Sequence, residues 1–185
     1  MIKIIKLGPN ENPQYVKSQK LIFERNGVLR DWEVVDTYDS VAILLYHKDR
    51  ESFVLVKQFR PAIYLKNGDG MTIELCAGLV DKDKPLKQIA KEEIYEECGY
   101  DVPLEKIEKI TSFHTAVGFA GGKQTLYFAS VDESIRINDG GGLEEEDIEV
   151  IYLPKSEAKT FIKDESIIKT PGLMYSFLWF FEHYK

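Results

Sequence analysis

The sequence predicts a mixed α/β sandwich, one domain preceded by a small β arm. Three observations carry that prediction. Runs rich in β-branched and aromatic residues stand both before and after a single strongly helical stretch at 85–99, which argues for a sheet covered by helices. The 185-residue length suits one domain with a modest extension, since single domains commonly hold roughly 100–200 residues. The chain also ends on an apolar, aromatic helical pattern suited to packing on a sheet.

The elements follow in order. LIFER (21–25) and VLRDWEVVD (28–36) are joined by Asn26-Gly27, a pair that favours the positive-φ conformations of a tight hairpin. This hairpin is too small to bury a core of its own, so residues 1–38 are read as an arm and 39–185 as the domain. SVAILLYH (40–47) and FVLVKQFR (53–60) are two paired strands, the first nearly continuous in apolar residues and so central. MTIELCAG (71–78) is read as one further strand ending at a glycine. A helix is predicted from Pro85 to Gly99, because proline is tolerated in a first turn and glycine suits the left-handed residue after a helix end. Strands at 109–113, 124–131 and 148–154 and helices at 156–163 and 172–184 complete the chain.

Composition narrows the function classes. The 31 acidic against 24 basic residues give a net charge of −7, which disfavours coating a nucleic-acid duplex. No run approaches the ~20 apolar residues of a membrane span, and the N-terminus lacks a signal-peptide pattern, so a cytoplasmic location is expected. Cys76 and Cys98 have neither metal-ligand spacing nor a disulfide framework and are read as reduced, partly buried thiols. His47, His114 and His183 show no pairing pattern and are read as structural, which leaves a Ser/His/Asp hydrolase without support.

The helix raises a chemical question. At about 100° per residue from Leu86, the residues Ile89, Ala90 and Ile94 define an inward stripe, and Glu93 and Glu97 fall in its middle with Glu96 at its edge. Like charges at i, i+3 and i+4 cost about 0.2–0.5 kcal/mol per pair on an exposed helix, and more when water is removed. These also sit in the last turns, where the helix dipole disfavours negative charge. A solvated glutamate rim paired with lysines is one reading. The other is a bound divalent cation, because Mg²⁺ is commonly held between one or two carboxylates and substrate phosphates.

The stretch from Gly78 to Tyr100, GLVDKDKPLKQIAKEEIYEECGY, resembles the Nudix box, G-x5-E-x7-R-E-U-x-E-E-x-G-U with U apolar. Gly78, Glu93, Ile94, Glu96, Glu97, Gly99 and Tyr100 match in register. Two positions depart: Lys84 stands where the first Glu is usual and Glu92 where Arg is usual, and Lys91 or Lys84 is the candidate to compensate. Outside the box, LVKQFRPAIY, TIELCAGLVD and GGGLEEEDIEVIYLP are similar to the ADP-ribose and nucleotide-sugar pyrophosphatase branch of Nudix hydrolases, and most of all to its UDP-sugar diphosphatases.

The resemblance implies a Nudix α/β/α sandwich with a mixed sheet, an exchanged homodimer formed through the N-terminal arm, and Mg²⁺ (or Mn²⁺) as cofactor. Its implied metal ligands are Glu93, Glu97, Glu96 and the carbonyl of Ala77. In the acidic run after Gly140-Gly141-Gly142, Glu144 is the implied general base, Glu145 the competing assignment and Glu146 a further metal ligand; a merely solvated loop is the alternative. Arg60 is the implied phosphate clamp, as guanidinium binds phosphate oxygens bidentately. Gly118, Gly121 and Gln124 belong to a segment resembling the substrate loop, and Trp32 either stacks on a nucleobase or packs within the arm. The implied reaction is hydrolysis of a nucleoside diphosphate sugar of the UDP-glucose type. An ADP-ribose pyrophosphatase and a catalytically silent nucleotide-sugar binding protein are the alternatives.

Overall fold

The computed structural model describes residue 2, residues 4–143 and residues 146–184. The arm is a two-stranded antiparallel ribbon, β1 (Lys17–Arg25) with β2 (Val28–Asp36). Asn26 and Gly27 turn it at φ 58° and 74°, the left-handed backbone that the pair was expected to supply.

Seven strands form the main sheet: β3 (Ser40–His47), β4 (Ser52–Phe59), β5 (Met71–Glu74), β6 (Cys76–Leu79), β7 (Glu108–His114), β8 (Lys123–Val131) and β9 (Ile148–Pro154). β3 lies parallel to β8, and every other pairing in the sheet is antiparallel. The centre of the sheet forks. The first half of β3, Ser40–Ile43, pairs with β6, and its far end, Leu45–His47, pairs with β4. β4 in turn leaves β3 and takes β5 over Val56–Phe59. Two short strands therefore occupy the wedge, with the buried Leu75 at the corner between them. The single strand expected over 71–78 is broken there; the run MTIELCAG has no proline, asparagine or internal glycine to mark the break.

Side-chain alternation sends Val41, Ile43 and Leu45 to one face and Ala42 and Leu44 to the other. The first face is covered by α2 (Leu86–Cys98) through Ile89, Ala90, Ile94 and Cys98. The second is covered by α3 (Ala158–Lys163) and α4 (Pro171–His183) through Ala158, Phe161, Leu173, Phe177 and Phe180. Phe177 stacks on Phe53 with ring centroids 4.3 Å apart. The α/β/α sandwich is thus the fold. Each large apolar side chain fully buried in it stabilises by about 1.5–3 kcal/mol, which lets the α2 layer carry an adverse group at its centre. Leu86, counted with the inward stripe, is instead 36% exposed, since it opens the helix at the rim of the sheet.

One helix was not anticipated: α1 (Pro61–Asn67), which starts immediately after Arg60. Pro61 at its first position and Gly68 at φ 76° after its end are the usual boundary signals, but the seven-residue span is too short for a helical period to show. Among the described residues no helix is long and apolar enough to cross a membrane. Cys76 and Cys98 are free and fully buried, more deeply than expected.

Candidate active site

The site lies where β6 passes under α2. Glycine at 78 has a direct cause: a Cβ there would stand 2.1 Å from the Glu93 carboxylate, so only glycine lets that side chain rest on the strand. One residue earlier, the Ala77 N–H donates to Glu97 Oε2 at 2.9 Å. The N–H and C=O of a strand residue leave on the same edge, so the Ala77 carbonyl opens on the side where the Glu97 carboxylate sits. Two helix glutamates and one backbone oxygen are thereby brought to one strand edge.

Burial makes these carboxylates costly to ionise. Glu97 is only 4% exposed. Its pKa is pushed up to about 8, first by burial, against which the Ala77 N–H acts, and then by the charge of Glu93. Glu93 is pushed up to about 7, again chiefly by burial and next by Glu96, with Lys82 opposing. Glu146 contributes repulsion to both. Near neutral pH such a group titrates into a site that invites positive charge.

Arg60 is held in a fork. Its Nε and one terminal nitrogen each donate to a carboxylate oxygen of Glu74 at 2.8 Å, and Thr72 Oγ1 donates to Glu74 Oε1 at 2.6 Å. The Arg60 hydrogen bonds bring the Glu74 carboxyl below its usual range despite the opposing effect of burial. The fork uses two of five guanidinium N–H donors, which leaves the others for an anion. Glu74 was not singled out from the sequence. The signal was present, a charged residue on the core-facing side of the apolar strand TIELCAG.

The two departures from the box pattern meet each other. Lys84 Nζ donates to both Glu92 carboxylate oxygens, at 2.8 and 2.9 Å, and Gln88 Nε2 donates to Glu92 Oε1 at 3.1 Å. Acid and base stand in exchanged order relative to the usual pattern, and in this chain they form an ion pair with each other. Lys91, the other candidate to compensate, is turned to Asp101 at 2.8 Å.

The remaining candidates fall into separate groups. Glu96 is half-buried beside Glu93. Glu146 is exposed and folds back on its own loop, its Oε2 accepting from the Leu143 N–H at 2.9 Å. Glu144 and Glu145 lie outside the described residues. Trp32 donates its indole N–H to the Gly118 carbonyl at 2.7 Å, and the Val35 N–H donates to Phe119 O at 2.7 Å, so the arm and the 115–122 loop meet within one chain. Gly121, at φ 70°, closes that loop and its carbonyl meets His114 Nδ1 at 2.8 Å. Gln124 points to the opposite face of the sheet, toward Gly172 of α4, and donates to Ser40 Oγ at 3.2 Å. Among the described residues no hydrogen bond joins Trp32, Gly118, Gly121 or Gln124 to the carboxylates.

Among the described residues no three acidic, His or Cys side chains form a cage able to hold an ion unaided. Mg²⁺ in general keeps several waters and takes one or two carboxylates together with substrate phosphates. The donor set of Glu93, Glu97 and the Ala77 carbonyl is all oxygen, as a hard cation requires.

Comparison with known proteins agrees with this geometry. No family model matches the chain. It is 37% identical over 196 residues to the uridine diphosphate glucose pyrophosphatase NUDT14 of Bos taurus, covering 90% of this chain and 88% of that protein. The mouse protein of the same name is 34% identical, with 96% and 93% covered. A GDP-mannose pyrophosphatase of Cronobacter sakazakii is 45% identical over 127 residues, or 68% of this chain and 65% of that one. On the strength of these full-length likenesses and a glutamate helix seated on its glycine, the chain belongs to the Nudix hydrolase family, in its nucleotide-sugar pyrophosphatase branch.

Proposed function

We propose that the protein is a Mg²⁺-dependent hydrolase that cleaves the diphosphate of a nucleoside diphosphate sugar of the UDP-glucose type, releasing a nucleoside monophosphate and a sugar 1-phosphate. The observation that carries this reading is the Glu93–Glu97 pair, pressed against Gly78 and Ala77 with its pKa values raised to about 7 and about 8. Once ionised, side chains so placed oppose folding unless a cation sits with them.

Glu93, Glu97 and the Ala77 carbonyl would hold Mg²⁺, with Glu96 and Glu146 as further ligands. When bound, the ion neutralises diphosphate charge and lowers the pKa of a bound water. Arg60, fixed by Glu74, orients a phosphate oxygen through its free N–H groups. Glu144 is assigned as the base that accepts the proton of the attacking water, with Glu145 the competing choice. Trp32, Gly118 and Gly121 are assigned to the nucleotide side; Gln124, expected to join them, is turned to the α4 face of the sheet and is left out of the assignment. The exposed Leu21, Ile22, Leu29 and Trp32 of the arm support a homodimer formed through that ribbon. The adjacent thiols of Cys76 and Cys98 suit the reducing cytoplasm.

The relatives' names differ in base and sugar, so the test is a panel. UDP-glucose, GDP-mannose and ADP-ribose are each incubated with Mg²⁺ in ¹⁸O-labelled water and the products resolved by chromatography and mass. Cleavage of a nucleotide sugar to a monophosphate and a sugar 1-phosphate is expected; preference for ADP-ribose would move the assignment, and no cleavage of any diphosphate would end it.

A further inference from the structure

The last carbonyls of an α-helix have no partner inside it and must find one elsewhere. In α2 the inner pair is closed by the chain leaving the helix: Gly99 N–H donates to Tyr95 O at 3.1 Å and Tyr100 N–H to Ile94 O at 3.4 Å. The outer pair is closed from a distance of more than 40 residues. Gly142 N–H donates to Glu96 O at 3.0 Å and Gly141 N–H to Glu97 O at 2.9 Å. The backbone carbonyls that this loop caps thus belong to glutamates assigned to the metal.

The fit is made by close approach of backbone to backbone. A Cβ on Gly140 would stand 2.3 Å from Glu97 O, and one on Gly99 would stand 2.2 Å from Asn138 O. Both glycines also have positive φ, 70° and 79°. Asn138 turns the loop into place: its Oδ1 accepts from Gly140 N–H at 2.7 Å. The adjoining Ile137 N–H donates to Gly99 O at 2.8 Å. From there the contacts run on into the acidic segment, where Leu143 N–H donates to Glu146 Oε2 and a Cβ on Gly142 would stand 2.4 Å from that same oxygen. The charge of Glu146 is felt at Glu93, Glu97 and Arg60.

We infer that Asn138 and Gly140–Gly142 form a latch that sets Leu143 and Glu146 against the glutamate-bearing end of α2, with Asn138 a positioning residue for hydrolysis. The inference rests on the function proposed above and adds to it a part played by residues outside the assigned metal and substrate set. Its size follows from geometry, because a displacement of about 1 Å in a reacting constellation can cost on the order of 100-fold in rate.

The test compares Asn138→Ala, which removes the acceptor, with Asn138→Asp, which keeps it. Hydrolysis kinetics at saturating Mg²⁺ and amide hydrogen exchange at Gly141 and Gly142 are measured on each. For Asn138→Ala, kcat is expected to fall about 10- to 100-fold with KM changed less than about threefold, and both amides to exchange about tenfold faster. Asn138→Asp restores both to within about threefold of wild type. A fold defect unrelated to the latch would not be rescued by the aspartate. Wild-type kcat in Asn138→Ala, unchanged exchange at the two amides, or an aspartate variant as slow as the alanine one would each overturn the inference. If the wild type cleaves no nucleotide sugar, the functional reading falls, and the exchange pattern still decides whether the latch exists.

Discussion

Replacing Glu97 by Gln isolates the cost of the buried carboxylate. Glutamine keeps an oxygen for the Ala77 N–H and removes only the charge. In the native state the Glu97 pKa is raised from 4.5 to about 8, mainly by burial. A carboxyl raised on folding favours the folded state while protonated, so its contribution is intact below its unfolded pKa and is lost as pH rises through the folded one. The loss is about 1.4 kcal/mol per pH unit between the two values, so about 3 kcal/mol disappears between about pH 5.5 and about pH 8.5. The assay is urea unfolding in EDTA at those two pH values. Wild type is expected to lose about 3 kcal/mol more than Glu97→Gln over that interval, and Mg²⁺ at the higher pH is expected to restore wild type and leave the variant unchanged. Equal pH slopes for the two proteins in EDTA would refute the reasoning, since the carboxylate would then carry no burial cost.

Three further outcomes are expected. The inverted pair makes a charge-reversal cycle: Lys84→Glu and Glu92→Arg singly place like charges together and lower kcat about 3- to 10-fold, while the double variant recovers to within about twofold, with additivity in steady-state kinetics as the contrary result. Gly78→Ala puts a methyl 2.1 Å from the Glu93 carboxylate. That variant should lose at least about 100-fold in kcat/KM and bind Mn²⁺ more weakly by electron paramagnetic resonance, and wild-type Mn²⁺ affinity would count against the seating of Glu93. Glu74→Gln frees Arg60 from its ionic fork and should raise KM about tenfold with a smaller change in kcat; an unchanged KM would remove Arg60 from phosphate recognition.

What could be read from the sequence is what repeats locally. The period of Ile89, Ala90 and Ile94 and the Pro85 and Gly99 boundaries define α2, and the two carboxylates inside that stripe mark a site. The Asn26-Gly27 turn was legible for the same reason, because φ above zero at both residues is a property of the dipeptide itself. Contacts between distant segments were not legible. The fork of β3 between β6 and β4 leaves no mark on the uninterrupted TIELCAG, and nothing in residues 96–97 anticipates amide partners from residues 141–142. The Lys84–Glu92 pair lies between these cases. Its members stand out as departures from a pattern, and only their meeting in space shows that one departure answers the other.

An isolated two-stranded ribbon is at best marginally stable in water. The arm is such a ribbon, and its ties to the domain include the Trp32–Gly118 and Val35–Phe119 hydrogen bonds. Melting of β1 and β2 therefore reaches the 115–122 segment directly, without passing through the sheet. Fraying at the tip and order in that segment become one equilibrium, and a ligand that tightens the segment protects amides in the ribbon from exchange.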